Sequence, residues 1–123
     1  MIIVDSVGWI AYLTKSDLAS HYREYILDTK NLITPSIVVY EVHKHVLKHA
    51  TEDAAKLALS ALLKTRVVPL NEGIAVYASR LSIEHKLPMA DAIIYATALS
   101  AGASVVTSDA HFESLPHVKY IPR

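Results

Sequence analysis

Four acidic residues lie in surroundings that do not favour them. Asp5 closes the apolar run Ile2-Ile3-Val4, and Glu41 sits between Tyr40 and Val42. Asp91 sits between Ala90 and Ala92, and Asp109 follows Val105-Val106-Thr107-Ser108. Carboxylates in an apolar setting lose hydration, and several gathered together repel one another. A divalent cation makes such a cluster tolerable, and an all-oxygen donor set suits magnesium or manganese rather than zinc. An ion held this way can polarise a phosphoryl oxygen and acidify a bound water. Singly, each acid has a plainer explanation. Asp5 and Asp109 can cap turns, Asp91 can complement a helix dipole, and Glu41 can be a solvated helix position. The strand-end placement of Asp5 and Asp109 sets the group apart.

The elements that must position these acids follow from the apolar pattern. Residues 1 to 5 read as a strand buried on both faces. Helical stretches follow from Trp9 to Leu13 and from Leu18 to Asp28, then a brief strand at Leu32 and Ile33. Thr34 as N-cap and Pro35 in the first helical position predict a helix carrying Glu41 and running to about His49. A further helix is predicted over Thr51 to Leu63, a strand over Val67 to Leu70, and a helix capped by Asn71 running to about His85. The segment opened by Leu87-Pro88 predicts a helix with Asp91 in its first turn and a left-handed stop at Gly102. Strands are expected at Ser104 to Thr107 and at His117 to Ile121. This alternation predicts an α/β fold with helices on both faces of a parallel sheet, since parallel strands need long crossovers. In such sheets ligands bind beyond the carboxyl ends of the strands, where strand order reverses. Asp5 and Asp109 end strands there, with Ser6 and Thr107 beside them.

Composition narrows the field. The chain has 123 residues, which predicts one domain spanning residues 1–123. Twelve basic and twelve acidic residues give a net charge of zero, so nucleic-acid binding needs a local patch rather than a global field. Hydrophobic residues make up 52% of the chain and mean hydropathy is positive, which leaves apolar surface for a partner. Cysteine is absent, so disulfides and thiolate metal sites are excluded. The missing cysteines, a start without the basic region of a secretory leader and apolar runs too short to span a bilayer lead us to expect a cytoplasmic protein with no membrane partner.

Four segments resemble the PIN-domain ribonucleases, and more narrowly the VapC-type toxins of toxin–antitoxin pairs. They are Ile3-Val4-Asp5-Ser6, Pro35 to Val42, Leu87 to Ala98, and Val105 to Phe112, in the family's order and approximate spacing across nearly the full chain. The resemblance implies a three-layer α/β/α fold with a five-stranded parallel sheet in the order 3-2-1-4-5. It implies cleavage of RNA phosphodiester bonds dependent on Mg2+ or Mn2+, with Asp5, Glu41, Asp91 and Asp109 as the catalytic and metal-binding quartet. Asp5 and Asp91 are expected to hold the principal ion. Glu41 is expected to position the metal or the attacking water, and Asp109 to complete the shell or act through a water. Ser6 and Thr107 match the family's small polar supports, orienting carboxylates by hydrogen bonds. A homodimer and a small antitoxin partner are further implications. The chain departs from the family at Ser108, where a basic residue is common, and at Val7, where a polar one is. These leave the metal set intact and move substrate contacts elsewhere, with Lys15, Lys44, Lys48 and Arg23 as candidates for gripping RNA.

Other constellations compete. Glu41, His45 and His49 recur at i, i+4 and i+8 on one helix face, a spacing compatible with zinc. His111 is the histidine nearest the acids but is not assigned as a catalytic base. A receiver-type signalling domain has the same length and an acidic magnesium pocket. It needs an aspartate at the end of the third strand, where this chain has Val68-Pro69-Leu70, and a lysine at the end of the fifth, where Lys119 lies within the strand. A catalytically silent binding module is the remaining alternative, and the intact quartet argues against it.

Overall fold

A computed structural model describes residues 1–123. Five short parallel strands are separated by six helices. Strand β1 (Ile2–Val4) pairs with β4 (Ser104–Thr107), which pairs with β5 (Val118–Tyr120). Strand β2 (Ile33–Pro35) pairs with β3 (Arg66–Val68). The register of β1 and β4 sets Val4 opposite Val106, so the two chains reach the same edge of the sheet together. Consecutive residues of a strand point to opposite faces. Ile3 and Val4 are both fully buried, as are Val105 and Val106, so both faces of the central strands are covered.

The expected five-stranded sheet in the order 3-2-1-4-5 is present only in part. The structure has a three-stranded ladder and a two-stranded ladder, joined by a single parallel bridge between Ile2 and Leu32. The strands are only three or four residues long, and Pro35 closes β2 without an N–H to donate. Strand twist rotates neighbours apart within that short length.

Helix α1 (Ser6–Leu13) starts directly after β1, three residues earlier than the apolar pattern predicts, because the Asp5 side chain caps it by accepting from Gly8 N. Helix α2 spans Ala19–Leu27. Helix α3 (Ser36–His49) begins after Pro35 without a side-chain cap. The expected Thr34 cap is absent because Thr34 belongs to β2 and its hydroxyl meets that of Thr65 at 2.6 Å. Helices α4 (Glu52–Leu62) and α5 (Glu72–His85) are capped by Thr51 and Asn71, whose side chains accept from Ala54 N and Ile74 N. Helix α6 (Met89–Ala101) ends at Gly102, whose φ of 66° is the left-handed stop glycine adopts without strain. Every residue of α6 from Ala92 to Ala98 is buried, as expected of a helix enclosed on all sides. Its alanines let it lie close on β1 and β4. No helix is long and apolar enough to cross a membrane.

Candidate metal centre

The centre is built at the carboxyl ends of β1 and β4. Asp5 leaves β1 as the N-cap of α1, a position that turns its carboxylate inward, and it is 2% exposed. Gly8 N donates to Oδ1 at 3.1 Å and the Thr107 hydroxyl donates to Oδ2 at 2.5 Å. Thr107 is the last residue of β4, and the same hydroxyl accepts from Asp109 N at 2.9 Å. One buried threonine therefore fixes the first acid and the backbone of the fourth. Asp109 starts a 3-10 turn over Ala110–Phe112 and accepts from His111 N at 2.9 Å. Asp91 enters from the first turn of α6.

His111 joins two of these acids. Its Nδ1 lies 2.9 Å from Asp91 Oδ2 and 3.1 Å from Asp109 Oδ1. An ionised carboxylate only accepts, so the proton sits on Nδ1. The ligand atoms of Asp91, Asp109 and His111 lie within 4.8 Å of one another. Asp5 and Glu41 stand outside that trio but share its field. Asp109 and Asp91 raise the Asp5 pKa, and Asp109 raises that of Glu41. Glu41 comes from the second turn of α3 beside Ser6, which partly offsets its rise. Its Oε1 is buried and has no hydrogen-bond partner.

Burial dominates the electrostatics. It pushes Asp5 up to about 7, offset in part by the bonds from Thr107 and Gly8. Burial and then the charge of Asp109 push Asp91 up to about 6. Glu41 is raised mainly by burial. His111 is raised, first by Asp109 and then, against its own desolvation, by the hydrogen bond to Asp91. The site thus gathers more acids than its one imidazole can neutralise, and Glu41 adds a buried carboxylate oxygen with no partner. These residues fit a hard divalent cation, for which carboxylate oxygens are the favoured donors.

Several sequence expectations change here. Ser108, where the family often has a basic residue, is a core position: it is 1% exposed and its hydroxyl meets Tyr22 OH at 2.6 Å. Glu41, His45 and His49 do not converge as a ligand set, although the two imidazoles lie 4.5 Å apart between centroids. Lys119 is bonded to Tyr25 OH and makes no ion pair with an acid, unlike the lysine a receiver domain requires. The bridging position of His111 is the feature the sequence conceals. Only the spacing Asp109-x-His111 hints at it, because Asp91 lies twenty residues away in the chain.

Residues 2–118 match the family described as PIN domain. No curated protein sequence gives a significant match. Among solved structures, a toxin–antitoxin complex from Klebsiella pneumoniae superposes with a TM-score of 0.81 at 24% identity, covering 98% of this chain and 100% of that one. The sarcin-ricin loop cleaving toxin VapC20 of Mycobacterium tuberculosis gives 0.83 at 19% identity, covering 99% and 100%. DNA-bound VapBC from Salmonella typhimurium gives 0.79 at 21% identity, covering 98% and 96%. At these identities the likeness is one of fold.

Proposed function

Because this chain belongs to the PIN domain family, we propose that it is a metal-dependent endoribonuclease and the toxin of a VapBC-type toxin–antitoxin pair. The observation that carries the reading is the approach of the Asp91, Asp109 and His111 ligand atoms to within 4.8 Å of one another, with Asp5 and Glu41 close enough to share the field of Asp109. Asp5 and Asp91 hold the principal ion, with Asp109 and Glu41 completing its surroundings. A bound Mg2+ or Mn2+ ion supplies Lewis acidity toward a phosphoryl oxygen and lowers the pKa of a coordinated water.

The rest of the chemistry belongs to the chain. Thr107 and Gly8 N hold the Asp5 carboxylate in one orientation. Such fixed outer bonds orient a metal ligand. The unpaired, buried Oε1 of Glu41 is free to accept a proton or a hydrogen bond from a water. Asp109 first, and then Asp91, favour the protonated form of His111, which lies between them where phosphodiester charge also has to be balanced. Ser6, at the start of α1, steadies Glu41.

Two further parts of the proposal concern partners: the homodimer rests on the exposed apolar side chains such as Ile83 and Met89, and the antitoxin on the structural neighbours. Several of these are toxin–antitoxin complexes, so a small antitoxin is the expected protein partner. Purified protein is expected to cut single-stranded RNA with Mn2+ or Mg2+ and to stop in EDTA. Asp5→Asn and Asp91→Asn should each lower cleavage by at least about a hundredfold, comparable to the loss of a key electrostatic group. Both should weaken Mn2+ binding in calorimetry and leave the circular dichroism spectrum unchanged. Full activity in either variant would show that the site has been misassigned.

A further inference from the structure

Beside the acidic centre a polar cleft of ≈ 320 Å³ runs between α1 and α3, lined by Ser6, Ile10, Glu41 and the Tyr40, Lys44, His45, Lys48, His49 side of α3. Its near end shares Ser6 and Glu41 with the centre. Its far end lies eight residues further along α3, about 12 Å at the rise of an α-helix. Tyr40, Lys44 and Lys48 form one row at i, i+4 and i+8, and Glu41, His45 and His49 form the next. Past Glu41 this face carries no acid.

Three observations mark the far end as built for a negatively charged chain. Lys44 and Lys48 are exposed and neither is paired with a carboxylate. Lys44 instead rests over the Tyr40 ring, 5.5 Å from its centroid, and donates to Tyr40 OH at 3.3 Å. The positive character of the face is felt by His45, which is pulled down first by burial and then by His49 and Lys48. Tyr40 itself is 57% exposed, so one face of an aromatic ring stands at the junction between lysines and acids. Lysines along a groove with an aromatic platform are what single-stranded nucleic acid uses: phosphates on the cations, a base on the ring. The other basic candidates, Lys15 and Arg23, line a separate cleft with Tyr12, Leu13, Ala19 and Ser20, which shares no residue with the centre.

We propose that this cleft on α3 is the track that holds single-stranded RNA beside the scissile bond, with Lys44 and Lys48 on successive phosphates and Tyr40 stacking a base. This rests on the ribonuclease reading of the centre and adds a binding subsite to it. The two histidines line the floor of the track rather than a zinc site.

The test uses the full chain in an Asp5→Asn background, so that bound RNA is not cut, and a fluorescent single-stranded RNA oligomer read by anisotropy across a salt series. Lys44→Ala with Lys48→Ala should weaken binding at least about tenfold at 0.1 M salt. It should also make the slope of log K against log salt shallower by about 1.4, the value for two lost phosphate contacts. Tyr40→Ala should weaken binding by roughly tenfold without changing the slope. Lys56→Ala with Lys64→Ala, which removes equal charge from α4 and the turn that follows it, should change neither. Thermal melts that match across the set show that folding is not the cause. A Lys44/Lys48 double variant that behaves like the Lys56/Lys64 pair overturns the track while leaving the ribonuclease reading intact. A wild-type protein that cuts no RNA, with an Asp5→Asn form that binds none, overturns the ribonuclease reading itself, and the track with it.

Discussion

Asp5 is the most enclosed of the four acids, and its enclosure has a measurable cost. Burial lifts its folded pKa to about 7, far above the ordinary aspartate value of 3.8, so between those values the folded chain binds the proton more tightly than the unfolded chain does. Stability then falls as pH rises through that window. The loss approaches something on the order of 4 kcal/mol by pH 8. Asp91, raised to about 6, contributes in the same direction. Metal-free protein should therefore melt at a lower temperature at pH 8 than at pH 5. Asp5→Asn should remove most of that difference, and Mn2+ should restore stability to the wild type alone. A melting temperature that is flat across the window would contradict the electrostatics assigned to the site. Thr107→Val tests the support: it strips Asp5 of a donor and Asp109 N of its acceptor, at about 1–3 kcal/mol. Since that bond lowers the Asp5 pKa, the midpoint of the stability–pH curve should also shift upward, which loss of packing alone does not do. The four acids are legible in sequence because each interrupts an apolar run. The roles of Thr107 and His111 are not, since their partners lie 102 and 20 residues away.

At the scale of elements, the site depends on how closely α1 follows β1. Gly8 permits that approach. A Cβ there would lie 2.7 Å from Val4 Cγ1 and closer still to the Tyr22 ring. Gly8→Ala should destabilise the fold by about 1–3 kcal/mol, as overpacking of a filled core does. Because Gly8 N also holds Asp5, Mn2+ affinity should fall in the same variant; chemical denaturation and calorimetry measure the two effects. An unchanged denaturation midpoint would mean the Tyr22 ring has room to yield. Element order, the cap at Asn71 and the Gly102 stop could all be read from local chemistry, because each is decided within three or four residues. The start of α3 could not. Thr34-Pro35 satisfies the rules for a helix start equally well as the end of a strand, and the hydroxyl of Thr65, 31 residues on, settles the matter.

For the whole molecule, the sheet is two ladders meeting at one bridge, and the core that unites them comes mainly from helices laid over both. Apolar side chains are left over at the surface of α5 and α6, with Ile83 84% and Met89 74% exposed. This supports the expectation of a homodimer: light scattering at micromolar concentration should return a mass near twice 13.5 kDa, and a monomer mass would count against it. One long-range tie bears on how such chains diversify. The Tyr22 phenol of α2 and the Ser108 hydroxyl meet in a sealed space at the end of β4, 86 residues apart in sequence. A lysine or arginine at position 108 cannot enter while the tyrosine fills position 22. Wherever a descendant of this protein places a cation there, a smaller residue should stand at position 22. A library that randomises position 108 alone should therefore recover mainly small residues there, and one that randomises both should recover cations at 108 together with smaller residues at 22.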